Sequence, residues 1–190
     1  MIFGWDVSTA VVGMVALTDD GSFFSGSFVD LRKVDGGVIE KCVEFAPQCK
    51  DFVNTCAARR PFPDPIGFSA RHFVEDRLGG FTRGMTTVQT LMKLAEMNGI
   101  VRWILRDGGR STVHPIHTAT IKSVMARDGL VIPKGSARED KKRLTLEHVR
   151  GRLGEAFPFR TKKKSGKPQD WCYDVADAFL VARTGFLKGH

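Results

Sequence analysis

Three β-strand patterns follow one another within the first 31 residues, and this opening restricts the possible folds more than any other feature. Residues 1–6, 11–18 and 22–31 are rich in β-branched and aromatic side chains. The second and third segments are joined by a turn that contains Asp20 and Gly21, a pair that favours a tight hairpin. We therefore expect the chain to begin with an antiparallel meander of three strands.

Helical and short strand patterns alternate through the rest of the chain. Helices are predicted over 36–60, 82–106, 118–127, 137–153 and 170–187, and short strands over 72–75 and 111–113. Pro47 is expected to break or kink the first helix. A meander that continues through strand–helix–strand crossovers predicts a mixed α/β sheet with helices on both faces. The length of 190 residues is that of one ordinary domain spanning 1–190.

Composition excludes several classes of protein. Hydrophobic residues make up 42% of the chain and charged residues 26%, which predicts a soluble globular protein with a sizeable core. No apolar run has the length of a membrane helix, and residues 1–6 have no basic start, so we expect neither a membrane span nor a signal peptide. These features predict a cytoplasmic protein. Cys42, Cys49 and Cys56 are spaced for one stripe of a helix, and we expect them to be buried free thiols.

The positive charge is concentrated in one stretch. Residues 134–167 contain twelve Lys and Arg but four Asp and Glu, a net charge of +8 that equals the net charge of the whole chain. A basic block of this kind attracts polyanions, because binding to phosphates releases condensed counterions. Residues 158–169 are expected to form a basic surface loop. The stretch therefore favours a nucleic-acid partner, although a solvated helix face with a lysine-rich loop gives the same composition.

Four acidic residues stand out from apolar surroundings. Asp6 and Glu75 each end a short apolar strand, and Asp174 and Asp177 lie three apart on an otherwise apolar helix, so that they share one face. Clustered carboxylates repel one another, and a divalent cation removes that repulsion. Hard oxygen ligands suit Mg²⁺ or Mn²⁺. The pattern therefore favours a metal site, while a turn cap at Asp6, an ion pair at Glu75 and a helix-dipole role for Asp174 remain alternatives.

The order and spacing of these segments resemble the RuvC-like Holliday junction resolvases of the ribonuclease H superfamily. The acidic segments that carry the resemblance are 4–9, 73–75 and 174–178. Residues 118–122 and 135–141 are similar to the family's Thr-Pro-x-x-Val-Lys and Gly-x-Ala-x-Lys segments, although Ala119 stands where proline is usual. The resemblance covers nearly the whole chain. It implies a ribonuclease H-like fold with a mixed five-stranded sheet.

The resemblance also implies an activity and a set of site residues. It implies a homodimeric endonuclease that uses Mg²⁺, or Mn²⁺ in its place, to nick four-way DNA junctions in pairs. Asp6, Glu75, Asp174 and Asp177 would be the metal ligands, and Lys141 would lie near the scissile phosphate. Phe81 is the candidate for stacking on unpaired bases, with Leu78 closer in register and a core position for Phe81 equally open. The full set of expected DNA contacts is Lys122, Lys134, Arg138, Lys141, Lys142, Lys162, Lys163, Lys164 and Phe81.

Two other functions remain open at the level of sequence. One is a nuclease of the same fold that acts on RNA–DNA hybrids or on other branched DNA. The other is a DNA-binding module that keeps the fold and does not cleave, although the presence of all four acidic residues argues against it.

Overall fold

A mixed five-stranded sheet forms the centre of the protein. The structure is a computed structural model that describes residues 1–60, 69–76, 87–106 and 111–189. Its strands are β1 (Ile2–Asp6), β2 (Val11–Leu17), β3 (Phe23–Asp30), β4 (Ala70–Asp76) and β5 (Ser111–His117). The order across the sheet is β3-β2-β1-β4-β5, with β1, β2 and β3 antiparallel and with β4 and β5 parallel to β1. This topology confirms the predicted meander followed by parallel crossovers.

Helices cover both faces of the sheet. They are α1 (Val38–Arg59), α2 (Val88–Arg106), α3 (Thr118–Arg127), α4 (Arg138–Leu153) and α5 (Trp171–Lys188). One hydrophobic core lies between the sheet and the pair α1 and α2, and the other lies between the sheet and α3, α4 and α5. Strand side chains alternate between these cores, so that Phe3 and Trp5 face α1 while Ile2 faces α5. None of the described helices is both long and apolar enough to span a membrane.

The two hairpins of the meander are closed by turns that their sequences explain. Ser8 Oγ accepts a hydrogen bond from the backbone N–H of Val11 at 3.0 Å and donates one to the Val11 carbonyl at 2.7 Å. The second turn places Gly21 at a φ of 82°, a conformation that glycine adopts without strain. The Ser8 side chain therefore closes the first turn.

The expected break at Pro47 does not occur, and α1 continues from Val38 to Arg59. Pro47 lies on the exposed face of the helix, where water can satisfy the carbonyl that loses its helical hydrogen bond. The opposite face carries Cys42, Cys49 and Cys56, which are buried free thiols as predicted. Burial raises the pKa of Cys49 to about 12, so this thiol is unreactive at neutral pH.

Strand β5 is longer than predicted and extends from Ser111 to His117 instead of ending at Val113. Proline cannot donate a hydrogen bond to a neighbouring strand, so it is rare in the interior of a sheet. However, β5 is an edge strand that pairs on one side with β4, so Pro115 can lie in it without the loss of a ladder hydrogen bond. His117 then accepts a hydrogen bond from the backbone N–H of Ala119 and caps α3.

Candidate functional site

Two acidic residues lie at the same end of the sheet, on neighbouring parallel strands. Trp5 of β1 is paired with Val74 of β4, and the next residue in each strand is acidic: Asp6 in β1 and Glu75 in β4. Trp5 and Val74 both belong to the core beneath α1, so by alternation Asp6 and Glu75 face α5. The exposed fraction is 1% for Asp6 and 9% for Glu75. Burial of two neighbouring carboxyl groups is costly unless the surroundings compensate for it.

Helix α5 lies unusually close to the sheet because two glycines face it. A Cβ atom at Gly13 would lie 2.1 Å from the carbonyl oxygen of Asp174, and a Cβ atom at Gly4 would lie 2.2 Å from that of Ala178. Both distances are too short for any side chain, so these positions require glycine. Gly13 is also the β2 partner of Asp6. The close approach therefore brings the acidic turn of α5 to the end of β1 that carries Asp6.

A shared cavity connects Glu75 with Asp177. It has a volume of about 540 Å³, and both acidic residues line it. The Thr118 hydroxyl, at the start of α3, donates a hydrogen bond of 2.8 Å to Glu75 Oε1. This contact gives Thr118 a direct role in orienting Glu75. The topology thus brings all four sequence-predicted acidic residues to the same face and end of the sheet.

The donor set has the chemistry that a magnesium ion requires. All four predicted ligands are carboxylates, which are hard oxygen ligands. Within the described ranges, no three His, Cys, Asp or Glu side chains form a cluster that could hold a metal ion. The backbone therefore positions suitable donors near one another, and the side chains are not gathered into a finished cage.

Five of the predicted DNA-contacting cations surround the same cavity. They are Lys122 on α3, Lys134 before α4, and Arg138, Lys141 and Lys142 on the first turns of α4. The N-terminus of α4 adds partial positive charge, since the backbone N–H groups of its first turn point outward along the helix axis. Positive groups therefore line the approach to Glu75 and Asp177, an arrangement that can hold a phosphate backbone against the carboxylates.

The predicted basic loop is a short hairpin. A β-bridge joins Thr161 to Pro168, and the backbone N–H of Lys162 donates to the Lys167 carbonyl at 2.7 Å. Lys163 and Lys164 lie exposed at its tip. Lys162 is placed differently from them, because its Nζ donates to a carboxylate oxygen of Asp170 at 2.7 Å.

Asp170 binds this lysine instead of capping α5 with its side chain. It is the N-cap residue of α5, as expected, but it makes no side-chain capping hydrogen bond. The hydrogen bond from Lys162 holds the pKa of Asp170 below its ordinary value. Arg32 lies on the other side of Asp170, at 3.6 Å. The charge of Lys162 is therefore partly neutralised within the protein.

The sequence prediction missed two basic residues close to the acidic end of the sheet. Arg32 pairs with Asp30 and Asp170 and is also influenced by the charge of Asp174. Lys41 of α1 donates a hydrogen bond of 2.6 Å to the carbonyl oxygen of Thr9, in the turn after Asp6. No sequence signal marks Arg32, because its position follows from the turn after β3. Phe81 and Leu78, the candidates for base stacking, lie outside the described residues.

Comparison with known structures shows which fold this is. The chain matches the structure titled "T. thermophilus RuvC in complex with Holliday junction substrate" with a TM-score of 0.59 and 16% sequence identity, over 98% of this chain and 92% of that one. It has a RuvC-like fold. A second structure of RuvC from Thermus thermophilus matches with a TM-score of 0.56 and 18% identity, over 99% of this chain and 95% of that one. No protein-family model and no curated protein sequence matches.

The RuvC-like match confirms the fold that the sequence motifs implied. The five-stranded sheet with helices on both faces is a ribonuclease H-like α/β fold. At 16–18% identity the likeness establishes the fold alone. The function has to be argued from the residues of this chain.

Proposed function

We propose that this protein is a metal-dependent endonuclease that resolves four-way DNA junctions by paired nicks. The observation that carries the proposal is the position of the carboxylates on the RuvC-like fold. Asp6 and Glu75 lie at the carboxyl ends of neighbouring parallel strands, on the face covered by α5, where Asp174 and Asp177 lie. Five cations surround the cavity that Glu75 and Asp177 line. This combination fits hydrolysis of a polyanion better than it fits binding of a small neutral ligand.

The four carboxylates are the proposed ligands of Mg²⁺, with Mn²⁺ as a substitute. Bound magnesium ions would supply an activated water and would stabilise the charge that develops on the phosphate. The protein's own contribution is to hold the carboxylates in place. Burial restricts Asp6, and the hydrogen bond from Thr118 restricts Glu75. The contact of the Asp174 backbone with Gly13 fixes the position of the helix turn that carries Asp174. Metal binding would then require movement of the side chains, while the strands and the helix that carry them stay in place.

The cations would bind and orient the DNA backbone. Lys141 lies on the cavity wall that also carries Glu75, and we propose that it contacts the scissile phosphate. Lys122, Lys134, Arg138 and Lys142 would hold the neighbouring phosphates. Such contacts give affinity and register without reading bases, so selectivity for a junction has to come from shape.

A junction substrate and a dimeric assembly are further parts of the proposal. The matched RuvC structure from Thermus thermophilus contains a Holliday junction. Two symmetry-related subunits can present one active site to each of two strands, which is what paired nicks require.

A single experiment tests the substrate and the chemistry together. Labelled four-way junction, duplex, flap and RNA–DNA hybrid are each incubated with the protein, with and without Mg²⁺, and run on native and denaturing gels. We expect nicks in the junction that depend on Mg²⁺. Cleavage confined to the hybrid would favour a ribonuclease H-like activity. Junction binding without cleavage in any metal would favour a DNA-binding module that lacks catalysis.

A further inference from the structure

The cavity beside Glu75 and Asp177 is lined partly by apolar side chains, which we call its apolar half. Its apolar lining comes from three parts of the chain: α3, the connection that leads to α4, and α5. The residues are Ile121, Met125, Ala126, Leu130, Ile132, Pro133, Leu180 and Val181. Five of them, Ile121, Met125, Leu130, Leu180 and Val181, belong to the hydrophobic core, and the cavity exposes part of that core to a ligand. The apolar half therefore points to a ligand with an apolar part.

The polar rim of this cavity restricts what that ligand can be. The five cations and the two carboxylates line the same cavity as these apolar side chains. An apolar metabolite would not need the cations, and inorganic phosphate would not need the apolar wall. A nucleotide has both parts, a flat base with apolar faces and a charged phosphate. Its base matches the apolar side chains of the lining, and its phosphate matches the cations.

The size of the cavity agrees with a nucleotide. Binding sites for small ligands have volumes of about 300–1,000 Å³, and this cavity has about 540 Å³. Proteins that take a base out of a DNA stack place it in a pocket of this kind, and the cost is lowest for a base that is already unpaired. Such a base would come from the point where the arms of the junction meet, and its capture requires that the base pair there is open.

We propose that the apolar half of this cavity receives one unpaired base of the bound DNA strand, so that the cavity selects the nucleotide at the cut. This inference rests on the proposed function, since it requires that branched DNA is the substrate. The captured base would position its own phosphate near Glu75 and Asp177. The choice of cut site would then depend on which base can leave the stack and enter the cavity.

The described part of the cavity wall contains no aromatic rings, and this makes a direct fluorescence measurement possible. The fluorescence of 2-aminopurine is quenched by stacking in DNA, and a wall of aliphatic side chains does not restore that quenching. A 2-aminopurine that enters the cavity therefore emits more strongly than in the free junction.

The experiment uses the full chain and junctions that carry 2-aminopurine at successive positions near the crossover. Binding is followed by anisotropy in EDTA, so that cleavage cannot occur, and emission is read at saturation. We expect a severalfold rise in emission at one position of the strand. Junction binding with no rise at any position would overturn the inference and leave the proposed function intact. Failure to bind the junction at all would contradict the proposed function and the inference with it.

Two positions on α3 provide a matched pair of variants. Ala126 lines the cavity and is exposed, so Ala126→Leu narrows the apolar half without disturbing the core. Ser123 is also exposed on α3 and does not line the cavity. We expect Ala126→Leu, and the longer Ala126→Met, to remove the emission rise without weakening junction binding. Ser123→Leu should retain it. A rise that persists in both folded Ala126 variants would overturn the inference.

Discussion

Among single residues, Asp6 has the clearest assignment. Its exposed fraction is 1%, and it lies at the end of β1, next to the strand that carries Glu75. A buried acidic side chain that lies beside another carboxyl group is an expensive feature to keep for structure alone. This position agrees with the proposed role of Asp6 as a metal ligand at the carboxyl end of β1.

The Asp6→Asn variant tests this assignment. We expect junction binding to persist and Mg²⁺-dependent cleavage to fall by at least about a hundredfold, because even the partners that orient metal ligands contribute about 10–100-fold. The matched control is Asp170→Asn, since Asp170 pairs with Lys162 and is not among the proposed ligands. Cleavage rates on a labelled junction give the comparison. Wild-type rates for Asp6→Asn, or equal losses for both variants, would contradict the metal assignment.

A second residue, His72, makes stability depend on pH. It stacks with Phe3 and accepts a hydrogen bond of 3.1 Å from Trp5 Nε1, and burial lowers its pKa to about 3. The folded protein keeps His72 neutral, whereas the unfolded chain takes up a proton below a pKa of about 6.5. The contribution of His72 to the free energy of unfolding is therefore complete above pH 6.5. It is lost as the pH falls towards 3, at about 1.4 kcal/mol per pH unit.

Urea unfolding between pH 4 and pH 8 measures this effect. His72→Gln keeps an acceptor for Trp5 Nε1 and cannot be protonated, so we expect its free energy of unfolding to fall less steeply below pH 6.5 than that of the wild type. The slopes above pH 7 should agree. Parallel curves over the whole range would show that His72 is not buried in the neutral form.

At the scale of elements, the position of α5 on the sheet links packing to the site. Gly13→Ala would place a methyl group 2.1 Å from the Asp174 carbonyl, so α5 has to move outward and take its acidic residues with it. We expect a loss of about 1–3 kcal/mol in the free energy of unfolding, as for other overpacked sites, and a loss of cleavage. Thermal unfolding and junction cleavage measure the two effects.

Gly99→Ala is the control for this substitution. Gly99 lies within α2, and among the described residues no atom outside its chain neighbours and the backbone of its own helix lies within 4 Å of where its Cβ would be. Alanine should therefore stabilise the helix by about 0.5–1 kcal/mol and leave cleavage unchanged. If Gly13→Ala behaved like Gly99→Ala, the close contact of α5 with β2 would not be a feature of the folded protein.

The basic hairpin is the second element with a measurable role. Lys163 and Lys164 are exposed at its tip, whereas Lys162 is held by Asp170. We expect the double variant Lys163→Ala with Lys164→Ala to bind every DNA shape more weakly. The slope of the logarithm of the binding constant against the logarithm of the salt concentration should become less steep by about 0.9 for each lost phosphate contact. Lys162→Ala should have a smaller effect. Binding measured by anisotropy from low to moderate salt gives the slopes.

Lys50→Ala serves as the control for charge alone. Lys50 is exposed on α1, which packs on the opposite face of the sheet from α5. Its loss should leave the slope unchanged. Equal slopes for Lys50→Ala and the Lys163 and Lys164 double variant would show that the hairpin does not contact phosphate.

For the whole molecule, the element order was predictable and two details were not. Alternating apolar patterns indicated the meander and the crossovers, because side-chain periodicity follows directly from burial. Helix α1 continues through Pro47 because this residue faces solvent, and β5 continues through Pro115 because the strand lies at the sheet edge. Both positions are decided by tertiary structure and cannot be deduced from local sequence. Similarly, spacing indicated the four acidic residues, while the pairing of Lys162 with Asp170 depends on the hairpin's fold.

The last prediction concerns the assembly. If two subunits act on one junction, each supplies one set of carboxylates, and a cruciform in a supercoiled plasmid is cut on both strands within one binding event. The wild type should therefore give linear plasmid directly. A mixture with excess Asp6→Asn should give nicked circles, because a mixed dimer holds one competent site. If the wild type alone gave nicked circles before linear product, the subunits would act independently. Sedimentation of the free protein would then be expected to show a monomer.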